Sequence, residues 1–197
     1  MKRVLLLGVI FIASIGQIMG QKHEPWDIFF TPKAGAAYTG FSSLNCEYKP
    51  GFVGGTGIEV FFSPHFSFET ALTFSMEGAN KVDNDLNQRD SNYNLNYINM
   101  DYLFKWYIGN HMNIFTGLHM GRLVWAKANG VDISDELNKG AITIPAGIGI
   151  DIGRLAISAQ FNYSFPKIAK SDRAKQILKD ASLMGGFVTI GYKIQVF

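Results

Sequence analysis

Residues 141–152 read AITIPAGIGIDI, and the fold is decided there. Isoleucines stand at 142, 144, 148, 150 and 152, and Ala146 keeps the rhythm. Thr143, Pro145, Gly147, Gly149 and Asp151 fill the gaps. At about 3.6 residues per turn a helix would scatter these isoleucines around its whole cylinder. A strand puts them on one face and leaves the other small, polar and charged. Pro145 removes a ladder hydrogen bond, so a bulge is expected there. The segment fits a half-buried strand of a soluble sandwich or a strand whose aliphatic face meets lipid.

The rest of the chain chooses between the two. Clear alternation recurs at 66–77, 97–108, 155–164 and 188–196, with weaker forms at 28–41, 52–62 and 112–125, which makes eight segments. Most of them run 11 to 15 residues. Strands of soluble domains usually have about 5–6, whereas a tilted strand needs about 9–11 to cross a bilayer. Short connections fall at Ser63-Pro64-His65, Gly109-Asn110-His111 and Asp151 to Arg154. Long polar ones fall at about 42–51, 79–93, 127–140 and 166–183. Strict short–long alternation belongs to an up-and-down barrel with tight turns on one side and long loops on the other. Within lipid every backbone polar group needs an internal partner, and strands achieve this only in a closed barrel. The prediction is an all-β, eight-stranded antiparallel transmembrane β-barrel with both termini in the periplasm of a Gram-negative bacterium.

The N-terminus agrees with export. MKRVLLLGVIFIASIGQIMG has a basic start at Lys2 and Arg3, an apolar stretch from Val4 to Ile15 and a small-residue exit. Residues 1–20 read as a signal peptide and 21–197 as the barrel domain, with cleavage after Gly20 or, alternatively, after Gly16. As an uncleaved anchor the segment would fall short of the roughly 20 apolar residues a membrane helix needs. Without the signal, the 18 basic residues drop to 16 and equal the 16 acidic ones, so nothing favours nucleic acid as a partner. Charged residues make up only 17% of the chain, below the roughly 25% of soluble domains. Cys46 is the only cysteine and reads as a small loop residue.

The inward registers collect Lys33, Glu59, Glu69, Glu77, Asp101, Lys105, Asp151 and Lys193. In so narrow a lumen opposite charges pair, and the set reads either as a polar plug or as an ion path. His119 falls inward with no evident serine or aspartate partner, so no catalytic set is expected. Asp83, Asp85 and Asn87 open like a calcium loop, but Gln88 and Asn94 replace the glycine and glutamate that such a loop requires. No metal or cofactor is expected. In the last long loop Ser171 caps a short predicted helix, with Ala174, Ile177, Leu178 and Ala181 on one face. Its basic residues Lys167, Lys170, Arg173, Lys175 and Lys179 suit lipopolysaccharide or an acidic protein partner. Phe61, Phe62, Trp106, Tyr107 and Trp125 are expected in interfacial girdles. Arg122 stands in an apparently outward register, which suits a rim or a bulge.

Several stretches carry a family likeness: PKAGAAYTGF (32–41), YINMDYLFKWYI (97–108), FTGLHMGRL (115–123), LAISAQFNYSF (155–165), and GYK (191–193) before Phe197. The chain resembles the PorT-like, "porin family" small outer-membrane barrels, built like the eight-stranded OmpX-type barrels. The resemblance implies an outer-membrane location, a role supporting protein export or surface contacts, and a terminal aromatic, Phe197, read by the barrel-assembly machinery. Steps of two back from Phe197 reach Gln195 and Lys193, out of phase with the apolar series Val196, Ile194, Tyr192. The expected function is structural or interactive, with a narrow channel for small solutes as the alternative. A membrane-embedded lipid hydrolase built on His119 ranks third.

Overall fold

The computed structural model describes residues 24–42, 44–82, 91–109, 111–165, 167–178 and 181–196. The expected signal peptide, residues 83–90 with their calcium-like spacing, and Phe197 lie outside these. Eight strands form the wall. They are β1 (Ile28–Phe41), β2 (Glu47–Ser63), β3 (Phe66–Val82), β4 (Ser91–Ile108), β5 (Met112–Ala128), β6 (Gly140–Ile152), β7 (Leu155–Ser164) and β8 (Leu183–Tyr192). After Lys193, β8 resumes at Ile194–Gln195 in unchanged register against Phe30 and Phe29. Each strand pairs antiparallel with the next. The ring closes where β8 meets β1, from Lys33↔Gly191 to Phe41↔Leu183. No free edge remains within the ring, as lipid requires.

The tight turns and both described termini share one end of the barrel, here the turn end; the longer connections share the other, the loop end. Gly109 and Gly153 occupy two of the tight turns at φ +68° and +60°, where a side chain would be strained. Along β6, Ile142, Ile144, Ala146 and Ile148 point outward. Thr143, Pro145, Gly149 and Asp151 point in and are buried. The alternation in AITIPAGIGIDI is therefore lipid face against lumen.

The structure corrects three expectations. Strands β2 to β5 run 17 or 18 residues, and the connections expected at 42–51 and 79–93 shrink to 42–46 and 83–90. The extra strand rises beyond the apolar belt, where its outer face is polar and resembles a loop in sequence. Next, Pro145 marks no bulge. The β5–β6 ladder keeps one register throughout and only lacks pairs at 117, 118, 144 and 145. The Thr116 hydroxyl donates to the Pro145 carbonyl at 2.9 Å across this gap, and Asn162 of β7 stays opposite Pro145. Finally, Phe61 and Tyr107 leave the girdle: both point inward and are fully buried. Phe61 yields the outer position to Phe62, beside a register shift at Phe61/Ser63. Phe62, Trp106 and Trp125 do face outward.

The wall is uneven in height. β6, β7 and β8 have 13, 10 and 10 residues, so β2 to β5 stand well above them at the loop end. Connections 129–139 and 165–182 fold into the step. Leu137 bridges to Ala169, the Ile168 carbonyl accepts from the Asn138 amide at 2.8 Å, and the Glu136 carbonyl accepts from Lys170 at 2.9 Å. Helix α1 (Asp172–Leu178) is capped by Ser171, whose hydroxyl oxygen accepts the Ala174 N–H at 3.0 Å.

Candidate functional site

The lumen divides into layers along the barrel axis. At the turn end Phe29, Phe61 and Tyr107 form a buried aromatic cluster, with ring centroids 5.7 Å apart for Phe29–Phe61 and 5.0 Å for Phe61–Tyr107. They come from β1, β2 and β4, so three strands supply one seal. The Lys193 ammonium lies 5.3 to 5.5 Å from all three ring centres, within cation–π range.

Above this seal, six charged side chains alternate in sign. Lys33 pairs with Glu69, whose other oxygen meets Lys105 at 2.5 Å. Lys105 reaches Glu59 Oε2 at 3.3 Å, and Lys193 reaches the same oxygen at 2.8 Å. Lys193 also donates to Asp151 Oδ2 at 2.5 Å. Ser67 and Tyr107 donate to Glu59 Oε1 at 2.6 and 2.7 Å, and the Tyr107 oxygen accepts from Lys193 at 2.9 Å. Three cations balance three carboxylates. Each buried charge therefore has a partner, the condition under which charges persist away from water. Glu59 is 0% exposed and Lys193 2%.

Glu77 and Asp101, the remaining two of the eight inward charges, belong to a second cluster nearer the loop end. Asp101 pairs with His119 Nδ1 directly across the β4–β5 ladder. The Thr73 hydroxyl stands 3.5 Å from Asp101 Oδ2. Ser75 donates to Glu77 Oε1 at 2.5 Å and accepts from Asn99 at 2.8 Å. The expectation that His119 lacks an acidic partner is thus corrected. Asp101 stands 18 residues away in sequence, and only the register reveals the contact. The nearby hydroxyls of Thr73 and Ser75 are directed to the carboxylates of Asp101 and Glu77. A cavity of about 50 Å³ lies between the two clusters. Thr31 and Asn99, both lining it, each keep one buried oxygen without a protein partner. At about 10–15 Å³ per water centre, this space suits a few bound waters.

The loop end is closed by apolar packing. Phe41, Tyr93, Leu95, Tyr97 and Leu123 from the wall meet Leu137, Ile168, Ala174, Leu178 and Ala181 from the loops. Leu137 and Leu178 are each 1% exposed. On the outside of this cap Lys167, Lys170 and Lys175 are exposed, and Lys175 pairs with Asp172 at 3.4 Å. The side chain of Arg173 and residue Lys179 lie outside the described residues. Sequence reasoning missed this second core because its wall residues occupy inward registers otherwise read as polar. The available signal was the series Tyr93, Leu95, Tyr97.

A closed antiparallel ring of eight strands, apolar outside and charged within, defines an integral membrane β-barrel. Residues 21–170 match the family described as "Outer membrane protein beta-barrel domain", and the chain belongs to that family. Such barrels reside in the outer membrane of Gram-negative bacteria. Among solved structures the chain is similar to Neisserial surface protein A, at TM-score 0.55 and 10% identity, covering 85% of this chain and 97% of that one. It is also similar to the attachment invasion locus protein Ail of Yersinia pestis, determined with the heparin analogue sucrose octasulfate. That match has TM-score 0.53 and 12% identity and covers 87% and 100% of the two chains. OprG of Pseudomonas aeruginosa matches at TM-score 0.50 and 11% identity, over 89% and 99%. Among curated proteins none matches in sequence.

Proposed function

We propose that the protein is a closed, non-conducting barrel of the PorT-like kind that acts by structure and contact rather than by transport or catalysis. The observation that supports this most is the double seal, with buried aromatics at one end of the lumen and an apolar loop cap at the other. Between them the charge ladder is neutral and fully paired, which suits a plug better than an ion path. The termini lie in the periplasm, and the loop end faces outward. The exposed lysines around 167–175 then meet lipopolysaccharide or an acidic surface or secretion partner. Insertion requires the barrel-assembly machinery. His119 serves Asp101 as an ion-pair partner and has no catalytic role.

Planar-bilayer recording on the refolded full chain, checked for folding by its gel shift on boiling, tests the reading. The expected result is a boiling-dependent shift with no conductance steps. Discrete steps from the folded sample would replace it with the narrow-channel alternative.

A further inference from the structure

We infer that Arg122 is the anion-binding residue of a lipid-phosphate site on the outer wall of the barrel. Three observations carry this. Arg122 is exposed in the outward register of β5, and its side chain makes no hydrogen bond or ion pair with any described residue. Its surroundings are apolar: Ile98 stands opposite on β4, Met120 and Val124 flank it along β5, and Ile142 lies outward on β6. Its opposite number on β6 is Gly140, where an added Cβ would meet nothing within 4 Å. The nearby Lys139 is already engaged with Asp135 at 3.0 Å.

A cation facing lipid is retained where an anion can reach it, at the headgroup level. Several features place Arg122 at that level. β6 begins at Gly140, the outward residues of β4 turn polar above Ile98 at Asn94 and Asn92, and Trp125 packs on Phe74 with ring centres 5.9 Å apart. A guanidinium grips a phosphate with two parallel N–H donors. The gap left by Gly140 admits the headgroup, and Ile98, Met120 and Ile142 offer a floor for its acyl chains. The shared chemistry is a lipid phosphate. With the loop end outward, a placement that rests on the proposed orientation, the source is the phosphorylated glycolipid of lipopolysaccharide.

The test equilibrates the folded full-length protein with phosphorylated lipid A, its dephosphorylated form, phosphatidylethanolamine or inorganic phosphate, and reads retained ligand by native mass spectrometry. The wild type should retain phosphorylated lipid A, and Arg122→Gln should retain about tenfold less. Arg122→Lys should fall between, because its point charge cannot form the bidentate grip. Gly140→Val should weaken retention with the charge unchanged, while its boiling shift certifies folding. Equal retention of the dephosphorylated lipid, or full retention by Arg122→Gln, overturns the site. Competition by inorganic phosphate with no lipid preference overturns its assignment to lipid. Preference for phosphatidylethanolamine keeps the phosphate site and overturns the orientation instead.

Discussion

Strand β4 carries two opposite patterns on one unbroken backbone. Near the turn end its outward residues are Ile98, Met100, Phe104 and Trp106, while Asn99, Asp101 and Lys105 point inward. Toward the loop end Asn92 and Asn94 point outward, and Tyr93, Leu95 and Tyr97 are buried. The inward parity never changes; what changes is the solvent on the far side. Where lipid wets the wall, the apolar residues go out and the interior must satisfy its own charges. Where water wets it, the hydrophobic effect acts as in a soluble sandwich and draws the same residue types in. Asn96 marks the crossover, opposite the shift where β5 inserts an extra residue near Val124 and Trp125.

The contrast predicts different costs for similar changes. Lys193→Met should be the most damaging, because Glu59 and Asp151 would lose the cation they share. Stranding a buried charge costs about 3–5 kcal/mol, which a urea midpoint for the refolded barrel would register. A loss below about 1 kcal/mol would mean the ladder does not hold the lumen together. Leu137→Ala should cost about 2–5 kcal/mol by opening a cavity in the cap. That loss should stay local: limited proteolysis would cut 129–139 and 165–182 faster, with the boiling shift retained. Loss of the boiling shift itself would show that the two cores fold as one unit. The smallest effects come from a matched pair on the outer surface. Leu72→Arg, in the lipid belt, should cost about 2–4 kcal/mol, and Asn92→Arg, above it, only about 1 kcal/mol, for the hydrogen bond that Asn92 Oδ1 accepts from the Lys81 N–H. Equal urea midpoints for the two variants would erase the boundary drawn through β4.

The belt was legible in the sequence because period-two alternation under lipid is strong and one-signed. AITIPAGIGIDI and its counterparts located the strands, their inner faces and all eight inward charges. The loop-end core was not legible. Asn80, Lys81, Asn92 and Asn94 look like loop residues, and a strand with its pattern reversed carries no lipid signature. The ladder was readable as a set of charges but not as pairs, because Lys33–Glu69 and Asp101–His119 depend on register, which no single strand encodes. Phe61 and Phe62 show the same limit at one residue's scale. Two adjacent aromatics must face opposite ways, and only the pairing with β3 says which one enters the barrel.

The seam between β8 and β1 has a consequence for how the molecule comes to exist. Residues 183–195 leave the ribosome long after β1, yet β1 finds its second partner only in them. Until they arrive, every partial product is an open ribbon with two unsatisfied edges, unfit for lipid and prone to pair with other chains. Closure is therefore a single late event, and a copy truncated before residue 183 would not be a shorter barrel but no barrel at all.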